Sequence, residues 1–349
     1  MQLDTLIHTY QLRRDAWQSD YESALQWDDT ESQRLDINPN LEVPSSQWQP
    51  IVRQMSSSQA MQEMQALIVV DGIRRLHLRT FFNIGTEMHY GGIGSVAVGA
   101  LMLTPGQMIS IESARIDQLV RRFAIFCDLD QDLSGQTMIP GLPMAVQHLS
   151  AVSDFSPQGP VKALHDQMRH AEEELVARLD HLLISSTQNL ILVDGPLQRR
   201  NLKSKRPLVG FVKSLMTKYL PTELEHILYQ LQAGQRSPLF GIGEDRYSCY
   251  VRLGEPGLTV HGLSGVIRLE MSTQSVSLAQ AIQLSSQLAV LLPELVAPVY
   301  KDPRAPQNLA PIAALERELR RAIGNETLIQ RRLEAYLKGV LTQNVSSVI

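Results

Sequence analysis

Two stretches of this chain, "LIVVDGIR" at 67–74 and "LILVDGPL" at 190–197, each run an aliphatic segment straight into an aspartate and a glycine. Four apolar residues with no polar face fit a strand covered on both sides, as in the sheets of α/β folds. An ionised carboxylate at the end of such a run is costly unless it reaches the strand's open mouth or meets positive charge. A lone Asp-Gly reads as a turn, being a common turn dipeptide. Two of them, each behind a buried strand, point instead to a shared site. Open α/β sheets hold ligands at the carboxyl ends of their strands, where Asp71 and Asp194 would sit.

The flanking sequence predicts the rest of the architecture. Residues 1–64 read as a polar, Gln- and Ser-rich extension, helical in two pieces around "NPNLEVPSS". Residues 65–349 read as one domain. Within it, "ALIVVDGIRRLHLRTFF" predicts a strand, a turn at Asp71–Gly72 and a second strand, with "GGIGSVAVGALML" at 91–103 completing an antiparallel meander. Residues 112–188 read as a helical insertion. There Ile116, Leu119, Val120, Phe123 and Ile125 approach helical spacing, and Leu164, Met168, Leu175, Leu179 and Leu182 continue it. After the strand at 190–194, "LVGFVKSL" leads from strand into helix, and "RSPLFGIG", "RYSCYVRL" and "GVIRLEMS" are strands. The C-terminal third is helical, with Gly324 or Asn325 ending one helix. The fold class is α/β, a mixed sheet flanked by helices with additional helical segments.

Composition excludes several classes. Cys127 and Cys249 are the two cysteines and lack paired spacing, which rules out a disulfide framework or a thiolate zinc site and fits a reducing compartment. No window approaches the about 18 apolar residues of a membrane span, and the N-terminus lacks a signal-peptide apolar core. The expectation is a cytoplasmic protein without a membrane partner. A formal net charge of −4 argues against a general polyanion-binding coat. One basic run, "QRRNLKSKRP", reads equally as a track for a DNA backbone and as a solubilising loop.

Converging carboxylates without cysteine or clustered histidine suit a hard divalent cation, Mg²⁺ or Mn²⁺. Such an ion activates a water and neutralises charge developing on a phosphodiester. A third acid is needed. In "MRHAEEELVARL", Glu172, Glu173 and Glu174 span about 200° of a helical wheel, so they cannot all face one point. Taken alone they read as a solvated face, with Glu174 paired to Arg178.

The ordered set "LIVVDGIRR", "MRHAEEEL", "LILVDGPL", "LVGFVKS", "GQRSPLFGI", "YSCYVRL", "GVIRLEMS" and "DPRAPQNLAPIAALERELRRAIG" resembles the NurA nuclease family in its bacterial form, from about residue 65 onward. The resemblance implies a ribonuclease-H-like fold and a nuclease dependent on Mn²⁺, or Mg²⁺ in its place. The implied activity is 5′-to-3′ exonuclease and single-strand endonuclease action on DNA. It also implies a homodimer working with a hexameric HerA-type ATPase in DNA end processing and repair. Carried over by position, Asp71, Glu172 and Asp194 are the catalytic and metal-binding acids, with Glu173 as the alternative to Glu172. Arg74, Lys213, Arg236, Arg252 and Arg268 become candidate DNA contacts, and Glu270 a supporting residue that faces or pairs with Arg268. Archaeal members carry a histidine in the Pro-rich segment before a C-terminal helix; here Asn308 is the nearest replacement. That departure supports a rival reading, a non-catalytic scaffold that docks the translocase. A third reading, hydrolysis of small phosphate esters, requires a compact pocket.

Overall fold

Aliphatic runs that are apolar on every side need partners on both edges and cover on both faces, and the computed structural model of the chain supplies all four to both runs. It describes residues 2–14, 36–105, 115–129, 133, 135–151, 156–182, 189–197, 204–213, 217–255, 261–298 and 306–343. In chain order the strands are β1 (Arg13–Arg14), β2 (Ile37–Asn38), β3 (Leu67–Ile84), β4 (Glu87–Leu103), β5 (Arg115–Cys127), β6 (Gln136–Thr137), β7 (Val146–Ala151), β8 (Leu190–Asp194), β9 (Leu208–Val212), β10 (Phe240–Ile242), β11 (Arg246–Arg252) and β12 (Val266–Ser272). The helices are α1 (Leu3–Thr9), α2 (Ser57–Met64), α3 (Gly159–Leu182), α4 (Ile227–Gln230), α5 (Leu278–Leu291), α6 (Ala310–Ile323) and α7 (Glu326–Gln343).

One 12-stranded sheet runs β2-β10-β11-β12-β9-β8-β3-β4-β5-β7-β6, with β1 beside the far end of β3. Its centre is β5-β4-β3-β8-β9. Here β4 is antiparallel to both neighbours, whereas β8 runs parallel to β3 and β9 parallel to β8. This mixed sheet between helices bears out the α/β, ribonuclease-H-like expectation. The two aliphatic runs lie side by side, Leu67 opposite Leu190 through Val70 opposite Val193.

Side chains alternate across the sheet. Ile68, Val70, Ile191 and Val193 pack under α3 with Leu164, Met168, Ala171 and Leu175. Leu67, Val69, Leu190 and Leu192 pack on the opposite face with Ala281 and Leu288 of α5 and Ile312 of α6. A third core joins α1, α6 and α7 to the distal half of β3. The N-terminal residues belong to these layers: Leu3, Leu6 and Leu12 are buried in the third core. No helix among the described residues is long and apolar enough to cross a membrane.

Three local expectations are corrected. Residues 115–127 form β5, not a helix. The strand is paired by β4 on one edge and β7 on the other. Burial on both faces makes "FAIFC" uniformly apolar and removes the alternation that would have marked a strand. Second, no turn interrupts residues 67–84; Asp71 and Gly72 pair with Gly99 and Val98 inside a continuous ladder. The irregularity falls at a bulge between Leu76 and Leu78 instead. Bulged His77 flips the strand's phase, so that Leu76 faces α3 whereas Leu78 joins the α6–α7 core. Third, the N-terminal 64 residues hold α1 and α2 but also two short strands. The start of the helix expected after "LVGFVKSL" falls on residues 214–216, outside the described residues, as does most of the basic run at 199–206.

Candidate metal centre

The two Asp-Gly dipeptides do different things. At Asp194 the strand ends, and Gly195 turns the chain at φ 96°, where a side chain would be strained. Gly72 lies within a strand. A Cβ there would stand 2.7 Å from Glu172 Oε1 and 2.9 Å from Met168 Cγ and Val98 Cγ1, so only glycine lets α3 approach. Asp71 follows Val70 and Asp194 follows Val193, a pair aligned in the parallel ladder, which places the two aspartates next to each other at the sheet's centre.

A third acid joins them from α6. Ligand oxygens of Asp71, Asp194 and Glu316 all lie within 4.8 Å of one another. Asp71 and Glu316 are buried, and Asp194 is partly open. Asp71 Oδ1 accepts a hydrogen bond from the Gly72 amide at 2.8 Å. Its Oδ2 is buried and meets no hydrogen-bond partner. Burial first and the Asp194 charge second push the Asp71 carboxyl well above the usual carboxylate range, with Glu316 and Glu172 adding to the effect and Lys213 opposing it. Lys213 donates to Asp194 Oδ2 at 2.7 Å, with its ammonium 5.9 Å from the Phe211 ring centroid. Glu316 also accepts from Arg320 at 3.0 Å, one helical turn on.

Glu316 was missed by sequence reasoning, although a signal exists. Along α6 the buried stripe is Ile312, Leu315, Leu319 and Ile323, and Glu316 sits inside it at i+4 from Ile312. An acid within an apolar stripe is a functional cue. Asn308, the proposed replacement, is fully buried two turns before Glu316, its carbonyl accepting from the Ala297 amide.

Glu172 is buried in α3, across the strand from Asp71 beside Gly72. Its charge reaches Asp71, yet it is not one of the three converging ligands. Glu173, the alternative, is partly exposed toward His170, and Glu174 pairs with Arg121. The pairing expected between Glu174 and Arg178 does not form; Arg178 meets Asp117.

The structure also redistributes the candidate DNA contacts. Arg236 is buried, forks onto Glu42 at 2.7 and 2.8 Å and reaches Ser286 Oγ. Arg252 is buried and donates to the carbonyls of Leu228, Gly262 and Ser264. Arg268 is buried in an ion pair with Glu270, its guanidinium 4.0 Å from the Tyr219 ring centroid. These three donate inward, which corrects the expectation that they face phosphate. Arg74 is half-buried on β3 and Lys213 stays at the acidic cluster. Glu270 Oε2 accepts from the Leu197 amide at 2.8 Å, pinning the turn that follows Asp194.

Three clustered carboxylates, one with a buried oxygen lacking any partner, are a donor set of the kind a hard divalent cation takes. The residues therefore fit a metal. Residues 86–321 match the model of the family described as the NurA domain, a span that includes Glu172, Asp194 and Glu316 and begins after Asp71. A comparison with curated proteins gives no match.

Proposed function

The chain belongs to the NurA family, and from that premise we propose that it is a divalent-metal-dependent DNA nuclease. The observation that carries this reading is the convergence of Asp71, Asp194 and Glu316 within 4.8 Å. Asp71, Asp194 and Glu316 would hold the ion, Mn²⁺ by preference. When bound, it would offset charge on the scissile phosphate and make a water more acidic. Glu172 lies behind Asp71 and adds negative charge that favours a cation there. Lys213 holds Asp194 in place and supplies the positive charge nearest the phosphate. Glu270 and Arg268 fix the turn after Asp194, so that its carboxylate keeps one orientation. Arg74, half-buried on β3, would contact the DNA backbone.

The finer assignment is 5′-to-3′ exonuclease and single-strand endonuclease action by a homodimer, coupled to a HerA-type ATPase at DNA ends. The intact acidic cluster weighs against the scaffold reading. Incubating the protein with end-labelled single- and double-stranded DNA in Mn²⁺, Mg²⁺ or EDTA tests the proposal. Cleavage should require the metal and disappear in Asp194→Asn, with the 5′ label released first. Cleavage that survives in EDTA or in Asp194→Asn would remove it. Sedimentation of the protein alone and with the ATPase checks the assembly.

A further inference from the structure

A concave site of about 280 Å³ is lined by Tyr219, Tyr229, Tyr250 and His261, with Lys218 and Glu225 beside them. Its parts are rigidly built. Tyr250 is buried and stacks on Phe240 at 5.7 Å with the rings 19° apart. Tyr219 is held beneath the Arg268 guanidinium. Arg252 ties the two opposing walls together, donating to Leu228 on one side and to Gly262 and Ser264 on the other. Those walls carry Tyr229 and His261, whose rings meet edge to face at 6.3 Å. Tyr229 is nonetheless 58% exposed, the sole aromatic ring among the exposed large hydrophobic side chains of the described residues. Lys218 is largely exposed and lies 3.2 Å from Glu225.

An open aromatic edge above a tyrosine-lined floor, with a cation at the side, is the chemistry that takes a flat heterocycle joined to a phosphate. The volume falls just below the roughly 300–1,000 Å³ of pockets for drug-sized ligands, which suits one base rather than several. Bases inside a duplex cannot enter it. The pocket is also wired to the acidic cluster. Tyr219 follows Lys213 by six residues, a reach of about 20 Å at most, and Arg268 above Tyr219 pairs with the same Glu270 that pins the turn after Asp194.

We propose that this pocket seats one unpaired nucleobase of single-stranded DNA against Tyr229 and His261, a few nucleotides from the phosphate at the acidic cluster. The inference rests on the nuclease reading and adds a strand-holding subsite that selects unpaired DNA. The test measures anisotropy of a labelled short oligothymidine in EDTA at low salt, so that no cleavage intervenes. Tyr229→Ala should weaken binding by about 5- to 150-fold, the range of one base–aromatic stack. Tyr229→Phe should bind within about twofold of wild type, since the ring face is kept, and His261→Ala should fall between. A series of oligothymidines, each with one abasic nucleotide, should contain a position at which wild type and Tyr229→Ala bind alike.

Wild-type affinity in Tyr229→Ala, an equal loss for every abasic oligonucleotide, or no binding by the wild type would each overturn the proposal. Its failure separates from that of the nuclease reading. If Asp194→Asn abolishes cleavage while Tyr229→Ala binds normally, only the pocket falls. If Asp194→Asn still cleaves while Tyr229→Ala loses affinity, the metal assignment falls and the pocket stands.

Discussion

Replacing Asp71 by asparagine deletes one charge and keeps the shape. Ligand oxygens of Asp71, Asp194 and Glu316 lie within 4.8 Å of one another. At that separation and an effective dielectric near 20, two unit charges repel by about 3.5 kcal/mol. Asp71 has two such neighbours, so its ionised form would face about 7 kcal/mol of gross repulsion, offset in part by Lys213. Burial and the Asp194 charge therefore raise its pKa, which favours the protonated form.

The consequence for stability has a definite sign. Between the ordinary carboxylate pKa of the unfolded chain and the raised pKa of the fold, the native state binds more protons. Stability therefore falls as pH rises through that window and levels off above it. Asparagine has no proton to lose. In EDTA, Asp71→Asn should match wild type at pH 4 and exceed it by about 1–3 kcal/mol at pH 8, the usual cost of one uncompensated buried polar group. Mn²⁺ should reverse the order. At a hundredfold excess over its dissociation constant it stabilises wild type by about 2.7 kcal/mol, and it should leave the variant nearly unchanged. Urea unfolding followed by tryptophan fluorescence reads both effects. A variant less stable than wild type in EDTA at pH 8, or one still fully stabilised by Mn²⁺, would refute the reasoning.

Four further outcomes follow from the structure. Glu316→Gln should lower Mn²⁺ affinity and DNA cleavage by at least the roughly 10–100-fold that outer-shell partners cost, whereas Glu173→Gln, on the exposed side of α3, should cleave as wild type; calorimetric titration and a nuclease assay check both. Gly72→Ala forces a methyl group against Glu172 and Met168 and should destabilise the fold by about 1–3 kcal/mol, seen as a lower urea midpoint at unchanged slope. Arg236→Ala strands the Glu42 carboxylate and should cost about 3–5 kcal/mol. Arg74→Ala should weaken DNA binding about equally for all sequences, read by fluorescence anisotropy in EDTA.

How far the site was legible depends on how local each signal is. Asp71 and Asp194 stood out because each follows an aliphatic run, a pattern confined to five residues. Glu172 was recognisable only through family likeness, and its burial against Gly72 was not, since three successive glutamates leave the inward one undetermined until α3 docks. Glu316 escaped because its neighbours Arg317 and Glu318 make the segment look like a solvated helix. The buried arginines misled for a related reason: a guanidinium reads the same whether it meets phosphate, Glu42 or a backbone carbonyl.

Strand β5 shows the same limit in the backbone. Its last six residues are buried, and a fully covered strand has no polar alternation to separate it from a helix. What the amino-acid order determined by itself was the set of aliphatic strands, the amphipathic helices near the C-terminus and the pair of aspartates, because each depends on near neighbours in the chain. Which acid completes the centre, which arginines turn inward and where the long strand bulges were decided by tertiary structure. Those depend on β3 meeting β8, α6 crossing one face and α3 the other, contacts between residues about a hundred or more positions apart that only the assembled sheet brings together.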